Sequence, residues 1–98
     1  MIFMAGKVLA ASRGEYSDYE VCAVFTSVYK LKAWVQKQID KRNKELTEYG
    51  REDEIIHTVV WDDSGDIPEP KYYRYEGSEL EARDDYELCW IETFDVDP

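Results

Sequence analysis

Residues Ser27 to Leu46 hold the one long helical pattern in the chain, and the rest of the sequence must be arranged around it. Val28, Leu31, Val35, Ile39 and Leu46 recur at helical spacing and fall within a stripe less than a quarter-turn wide. Ser27 stands just before the first of them, where its hydroxyl can accept an orphan backbone N–H. Gly50 follows the last turn and can take the left-handed conformation that stops a helix. One amphipathic helix cannot bury its stripe alone, so it needs a sheet face to cover. Burying the five stripe residues contributes ~10 kcal/mol before conformational entropy is charged against it.

The remaining segments read as strands. Lys7 to Ala11 is a short apolar first strand, and Tyr19 to Thr26 a second, close enough to pair with it around Gly14. In the second, Tyr19, Val21, Ala23 and Phe25 form an apolar face. Ile55 to Trp61 is apolar on both sides, which predicts a strand internal to the sheet. The run Asp62-Asp63-Ser64-Gly65-Asp66 breaks it, and Pro68 and Pro70 keep the following residues extended. Lys71 to Glu76 is a tyrosine-rich fourth strand closed by Gly77. Asp85 to Val96 is the fifth, with Leu88, Trp90 and Phe94 on one face and Cys89, Ile91 and Thr93 on the other. The expected architecture is a single α+β domain over residues 1–98, β-β-α-β-β-β. Its antiparallel or mixed sheet carries one helix on one face, with Leu31, Val35, Ile39, Phe25, Leu88 and Trp90 buried together.

Composition narrows the function classes. Ninety-eight residues suffice for one modest core without metal or disulfide staples. The apolar start, Met1 to Met4, ends in Gly6 and Lys7, too short for a signal peptide or a membrane span. We therefore expect a cytoplasmic protein with no membrane partner. Cys22 and Cys89 belong to no metal or redox motif, so two free thiols are expected, a Cys22–Cys89 disulfide being the alternative. With two Cys and one His, zinc is not expected.

Charge is the strongest signal by count. Residues 1–51 carry nine basic and six acidic side chains, a net of +3. Residues 52–98 carry three basic and sixteen acidic, a net of −13. A body with a net charge of −10 repels nucleic acid as a whole and steers toward basic partners.

Four constellations merit weighing. Gly14 to Tyr19 puts two carboxylates and two phenols in six residues; Glu15 and Asp18 could serve as acid and base. The plainer reading is a turn in which Ser17 and Asp18 satisfy backbone groups while Tyr16 and Tyr19 pack. Asp62, Asp63 and Asp66 lack the twelfth-position Glu of a calcium loop, since that position is Tyr73, and read as a solvated turn. Lys30, Lys37 and Lys41 flank Trp34 on the polar side of the helix, an arrangement that can bind phosphate and stack a base. Against it, Trp34 could simply pack over the sheet edge. Asp40 and Lys44 are spaced as an i,i+4 pair, and Arg42 falls in the apolar stripe, where it must snorkel or find a carboxylate. Finally, Glu76, Glu79, Glu81, Asp84, Asp85 and Glu87 lie within twelve residues. In extended chain, alternate residues repeat every ~6.7 Å, about two axial steps of a nucleic-acid strand. A carboxylate row of that pitch can imitate phosphates, with Tyr72, Tyr73 and Tyr75 as contact aromatics. An acidic surface can also serve solubility alone.

The turn Gly14-Glu15-Tyr16-Ser17-Asp18-Tyr19, the strand end Val24-Phe25 and the helix after it, with Trp90-Ile91-Glu92 near the C-terminus, resemble a small uncharacterised domain of phage and bacterial proteins. The resemblance implies small size, α+β architecture and a phage or mobile-element setting, and no activity. Together with the charge it leads us to expect a phage-type interaction protein in the host cytoplasm, without catalytic residues or cofactor. Such a protein would inhibit a basic host nucleic-acid-binding or defence protein through the acidic face formed by Tyr72, Tyr73, Tyr75 and the six carboxylates. The alternative is a nucleic-acid-binding accessory protein using Lys30, Trp34, Lys37 and Lys41. A homodimer is left open.

Overall fold

A computed structural model describes residues 7–14, 16–74, 77–80 and 88–95. Strands β1 (Lys7–Arg13) and β2 (Glu20–Phe25) precede the helix α1 (Val28–Glu48). Strands β3 (Ile56–Asp62), β4 (Glu69–Arg74), β5 (Glu79–Leu80) and β6 (Trp90–Asp95) follow it. The class is α+β and the order is the expected one, with the two-residue β5 added before the last strand.

The expectation of one sheet is corrected. There are two antiparallel three-stranded sheets, ordered β2-β1-β6 and β3-β4-β5. β1 is central to the first. It pairs with β2 from Leu9–Phe25 to Arg13–Glu20, with a bulge at Cys22 opposite the Ala11–Ser12 step, and with β6 from Lys7–Asp95 to Ser12–Trp90. In the second sheet the central strand is β4. β3, read from its two-sided apolar character as internal, is an edge strand with His57, Thr58 and Val60 exposed.

The helix ends are built as the sequence requires. Ser27 Oγ accepts the Lys30 N–H at 3.3 Å. At the other end Gly50 takes φ 73°, Arg51 N–H reaches Leu46 O at 2.8 Å, and Gly50 N–H reaches Thr47 O at 3.2 Å. That pair of bonds is a Schellman motif, which satisfies carbonyls the helix leaves open. Leu31, Val35, Ile39 and Leu46 are buried. Leu31, Val35 and Ile39 join Leu9, Ala11, Ile56, Tyr72, Leu88 and Cys89 in one core.

On β6 the expectation that Trp90 joins the core is corrected. Ile91 packs against the core, whereas Trp90, Glu92 and Phe94 stand opposite Ser12, Ala10 and Val8 on the side of the first sheet away from the helix. Glu92 supplies the reason: a carboxylate two residues from both aromatics cannot enter an apolar core unpaired. On the outer side it accepts the hydroxyls of Ser12 and Tyr19, each at 2.5 Å. Leu88 is nonetheless buried, because it precedes the strand and its alternation. Phe25 is half-buried at the core margin.

Two side chains tie α1 to the second sheet. Asn43 donates to Ile56 O at 2.9 Å and accepts Ile56 N–H at 3.0 Å, standing in for a strand neighbour. Arg42 reaches a backbone carbonyl: Nη1 donates to Glu54 O at 3.0 Å. Asp40 accepts from Gln36 Nε2 at 3.0 Å, one turn back, and not from Lys44.

Candidate functional site

The outer face of the second sheet carries the described part of the acidic surface. Alternation from the buried Tyr72 places Tyr73 on the opposite side, in register with Thr58 on β3 and Glu79 on β5. Val60 and Lys71, then Asp62 and Glu69, extend the same face toward the β3–β4 turn. Tyr73 is half-buried, and Glu79 and Glu69 are exposed. Lys71 lies 3.8 Å from Asp62. Among the described residues the face therefore presents one phenol ring between carboxylates, with a single lysine partly committed to Asp62.

Tyr72 must be removed from the contact set. It is 1% exposed, and its phenol donates to Cys89 O at 2.6 Å, with Cys89 Sγ at 3.5 Å. Burial holds its hydroxyl far above the ordinary phenol range. Tyr75, Glu76, Glu81, Asp84, Asp85 and Glu87 lie outside the described residues.

Apart from Glu92, the described carboxylates of the second half divide into two groups. Asp62, Asp63, Glu54 and Asp95 pair with Lys71, Lys32, Arg51 and Lys7. Glu52, Asp53, Asp66, Glu69 and Glu79 are exposed and pair with no cation among the described residues. The 62–66 turn is held by Asp62, whose Oδ1 accepts both the N–H and the hydroxyl of Ser64, at 3.0 and 2.6 Å. Those two bonds lower its pKa. Among the described residues no group of His, Cys, Asp and Glu gathers to hold a metal ion.

The helix presents a second surface. Lys30, Lys37, Lys41 and Lys44 are exposed along one stripe and enter no ion pair among the described residues. Trp34 is half-buried, its ring 5.8 Å from that of Phe25. It packs against the β2 edge, which limits its use as a stacking platform. Lys32, on the opposite side of the helix from those lysines, bonds Asp63 at 2.9 Å and sits 5.4 Å from the Trp61 ring.

Among its described residues, the Gly14–Tyr19 turn is held by the backbone. Residues 16–18 form a single 3₁₀ turn closed by Tyr19 N–H to Tyr16 O at 3.2 Å, a backbone solution in place of the side-chain turn expected of Ser17 and Asp18. Tyr16 is 95% exposed and does not pack. Tyr19 instead lies 5.9 Å from the Trp90 ring and donates to Glu92. Asp18 is exposed; Glu15 is outside the described residues. The Ser12–Glu92–Tyr19 cluster is not legible in the sequence, because its members are far apart along the chain. The one local hint was Glu92 breaking the apolar alternation of its strand.

Cys22 and Cys89 are free thiols. No helix among the described residues is long and apolar enough to cross a membrane. No family model, curated protein or solved structure matches the chain.

Proposed function

We propose that this is a small acidic interaction protein that engages a basic protein partner through the outer face of its second sheet and the carboxylate-rich segment continuing from it. The observation that carries the reading is charge left uncompensated. Glu52, Asp53, Asp66, Glu69 and Glu79 stay exposed and without ion pairs among the described residues, in a half of the chain with a net charge of −13. Like charges so placed repel one another, and a basic partner relieves that repulsion. Tyr73 supplies an aromatic contact at the centre. In the phage-type setting the partner is a host nucleic-acid-binding or defence protein, whose phosphate-binding groove the carboxylates occupy in place of nucleic acid.

The experiment is capture of partners from a bacterial lysate, followed by binding kinetics of the purified pair. Association is expected to slow steeply as salt rises, since steering charges act mainly on the on-rate. Reversing Glu79, Glu81, Asp85 and Glu87 to lysine in a folded variant should abolish binding. Unchanged affinity would defeat the reading. The second reading rests on the stripe Lys30, Lys37, Lys41 and Lys44, exposed and without ion pairs among the described residues. A mobility shift with single-stranded nucleic acid that disappears on neutralising those lysines would favour it.

A further inference from the structure

A cavity of about 150 Å³ opens between the end of β1 and the middle of α1, lined by Arg13, Gln38, Lys41, Arg42 and Glu45. It lies apart from the acidic face. The sequence builds it by two periods. Alternation along β1 puts Arg13 on the side of Leu9 and Ala11, beneath the helix. Residues 38, 41, 42 and 45 are i, i+3, i+4 and i+7 of one helix face. We propose that this cavity binds a phosphoryl anion that carries an O–H group, such as hydrogen phosphate or a small phosphate ester with a neighbouring hydroxyl.

Three cations and one carboxylate line the space, so it is net positive within a chain of net charge −10. Neither Arg13 nor Lys41 makes an ion pair among the described residues. Arg13 Nε is shut off from solvent and has no hydrogen-bond partner among them. The guanidinium is thus not spent on an acceptor there, and the part of Arg13 that lines the cavity is available to an oxyanion. Arg42 is held in position by its bond to Glu54 O, and guanidinium groups match phosphate oxygens in a bidentate manner. The Gln38 amide adds a neutral donor.

Glu45 sets the specificity. A carboxylate repels a fully deprotonated tetrahedral anion but accepts a hydrogen bond from one that keeps a proton or hydroxyl. Hydrogen phosphate qualifies and sulfate does not. Size bounds the rest of the ligand: pockets that enclose drug-sized molecules run to roughly 300–1,000 Å³, so a phosphoryl group with a few further atoms fits here and a nucleotide base does not.

The test is titration of the full chain with inorganic phosphate, and in parallel with sulfate at matched ionic strength. It is followed by NMR of the Arg13 Nε–H and Gln38 side-chain amide and by calorimetry. Saturable shifts of both resonances with phosphate, and at least tenfold weaker binding in Arg13→Gln and Lys41→Gln, are expected. Glu45→Gln should erase the preference for phosphate over sulfate. Lys41 is exposed, so its variant keeps the test alive if Arg13→Gln fails to fold. Three results would each overturn the proposal: no saturable shift at millimolar phosphate, equal binding of phosphate and sulfate by the unmodified chain, or binding unaffected by Lys41→Gln. A fourth is a single-stranded oligonucleotide without terminal phosphate shifting the same resonances and resisting competition by phosphate. That outcome would assign the cations to a polynucleotide backbone.

Discussion

Tyr72 and Cys89 are joined inside the core, the phenol of β4 donating to the carbonyl that precedes β6 at 2.6 Å. The bond ties the second sheet to the outer strand of the first. Tyr72→Phe keeps the ring and leaves that carbonyl without its donor. An unsatisfied buried acceptor costs about 1–3 kcal/mol, and in a domain of this size each kcal/mol lowers Tm by roughly 4–8 °C. A melting curve superimposable on the parent's would contradict this role.

Leu31 and Val35 sit at the centre of the helical stripe with no solvent exposure. Leu31→Ala and Val35→Ala should each cost about 2–4 kcal/mol, the transfer loss plus the cavity left behind. Urea denaturation measures it. If both midpoints stay put, the packing of α1 on the first sheet is wrong.

Asn43 holds the start of β3 by a reciprocal pair of bonds to Ile56. Asn43→Ala removes both and should destabilise the protein by about 1–3 kcal/mol. Asn43→Asp keeps the acceptor and loses the donor, so it should fall between. Hydrogen exchange at the Ile56 amide should quicken more in the alanine variant, and equal protection in both would refute the arrangement.

Gly14 has φ 74°, and a Cβ there would overlap the backbone carbonyl of Asp18. Gly50 has nearly the same φ, 73°, but open space around it. Gly50→Ala should therefore cost only the left-handed penalty of about 1–2 kcal/mol. Gly14→Ala must also move the turn and should cost more. Equal losses in a chemical denaturation series would show that the β1–β2 turn yields freely.

Stability should fall on the alkaline side. Burial raises the Cys22 and Cys89 thiols, the Glu92 carboxylate raises the Tyr19 phenol, and burial raises Tyr72. For each, the folded state keeps its proton longer than the unfolded chain. The stability is fully present below the unfolded values and is lost as pH rises past them, first near ~8.5 for the thiols and then above ~10 for the phenols. On the acid side the sign reverses. Arg51 lowers Glu54, and the Ser64 bonds lower Asp62, so their contribution is present above the ordinary carboxylate range and is lost as pH falls through the depressed values. Denaturation midpoints across pH check both limbs. A flat alkaline limb in the parent, or a slope unchanged by Tyr72→Phe, would contradict the assignment.

What the sequence determined by itself was whatever depends on near neighbours. The stripe of α1, the Ser27 cap and the Gly50 stop are set within a few residues, because helix hydrogen bonds and end effects span only three to five positions. The segregation of charge between the two halves needs no structure at all. What only the tertiary structure decided was which face of each strand turns inward and which strands pair. A period of two offers two faces with equal grammar, and for β6 the choice fell to Glu92, which reaches Ser12 and Tyr19 only on the outer side. The same holds for Tyr72: its run of tyrosines reads as a surface, yet pairing with β3 and β5 at the centre of the second sheet turns it into the core. Arg13 and Lys41 line one cavity for the same physical reason. Contacts between residues far apart in sequence leave no local trace, and they exist only once the chain has closed on itself.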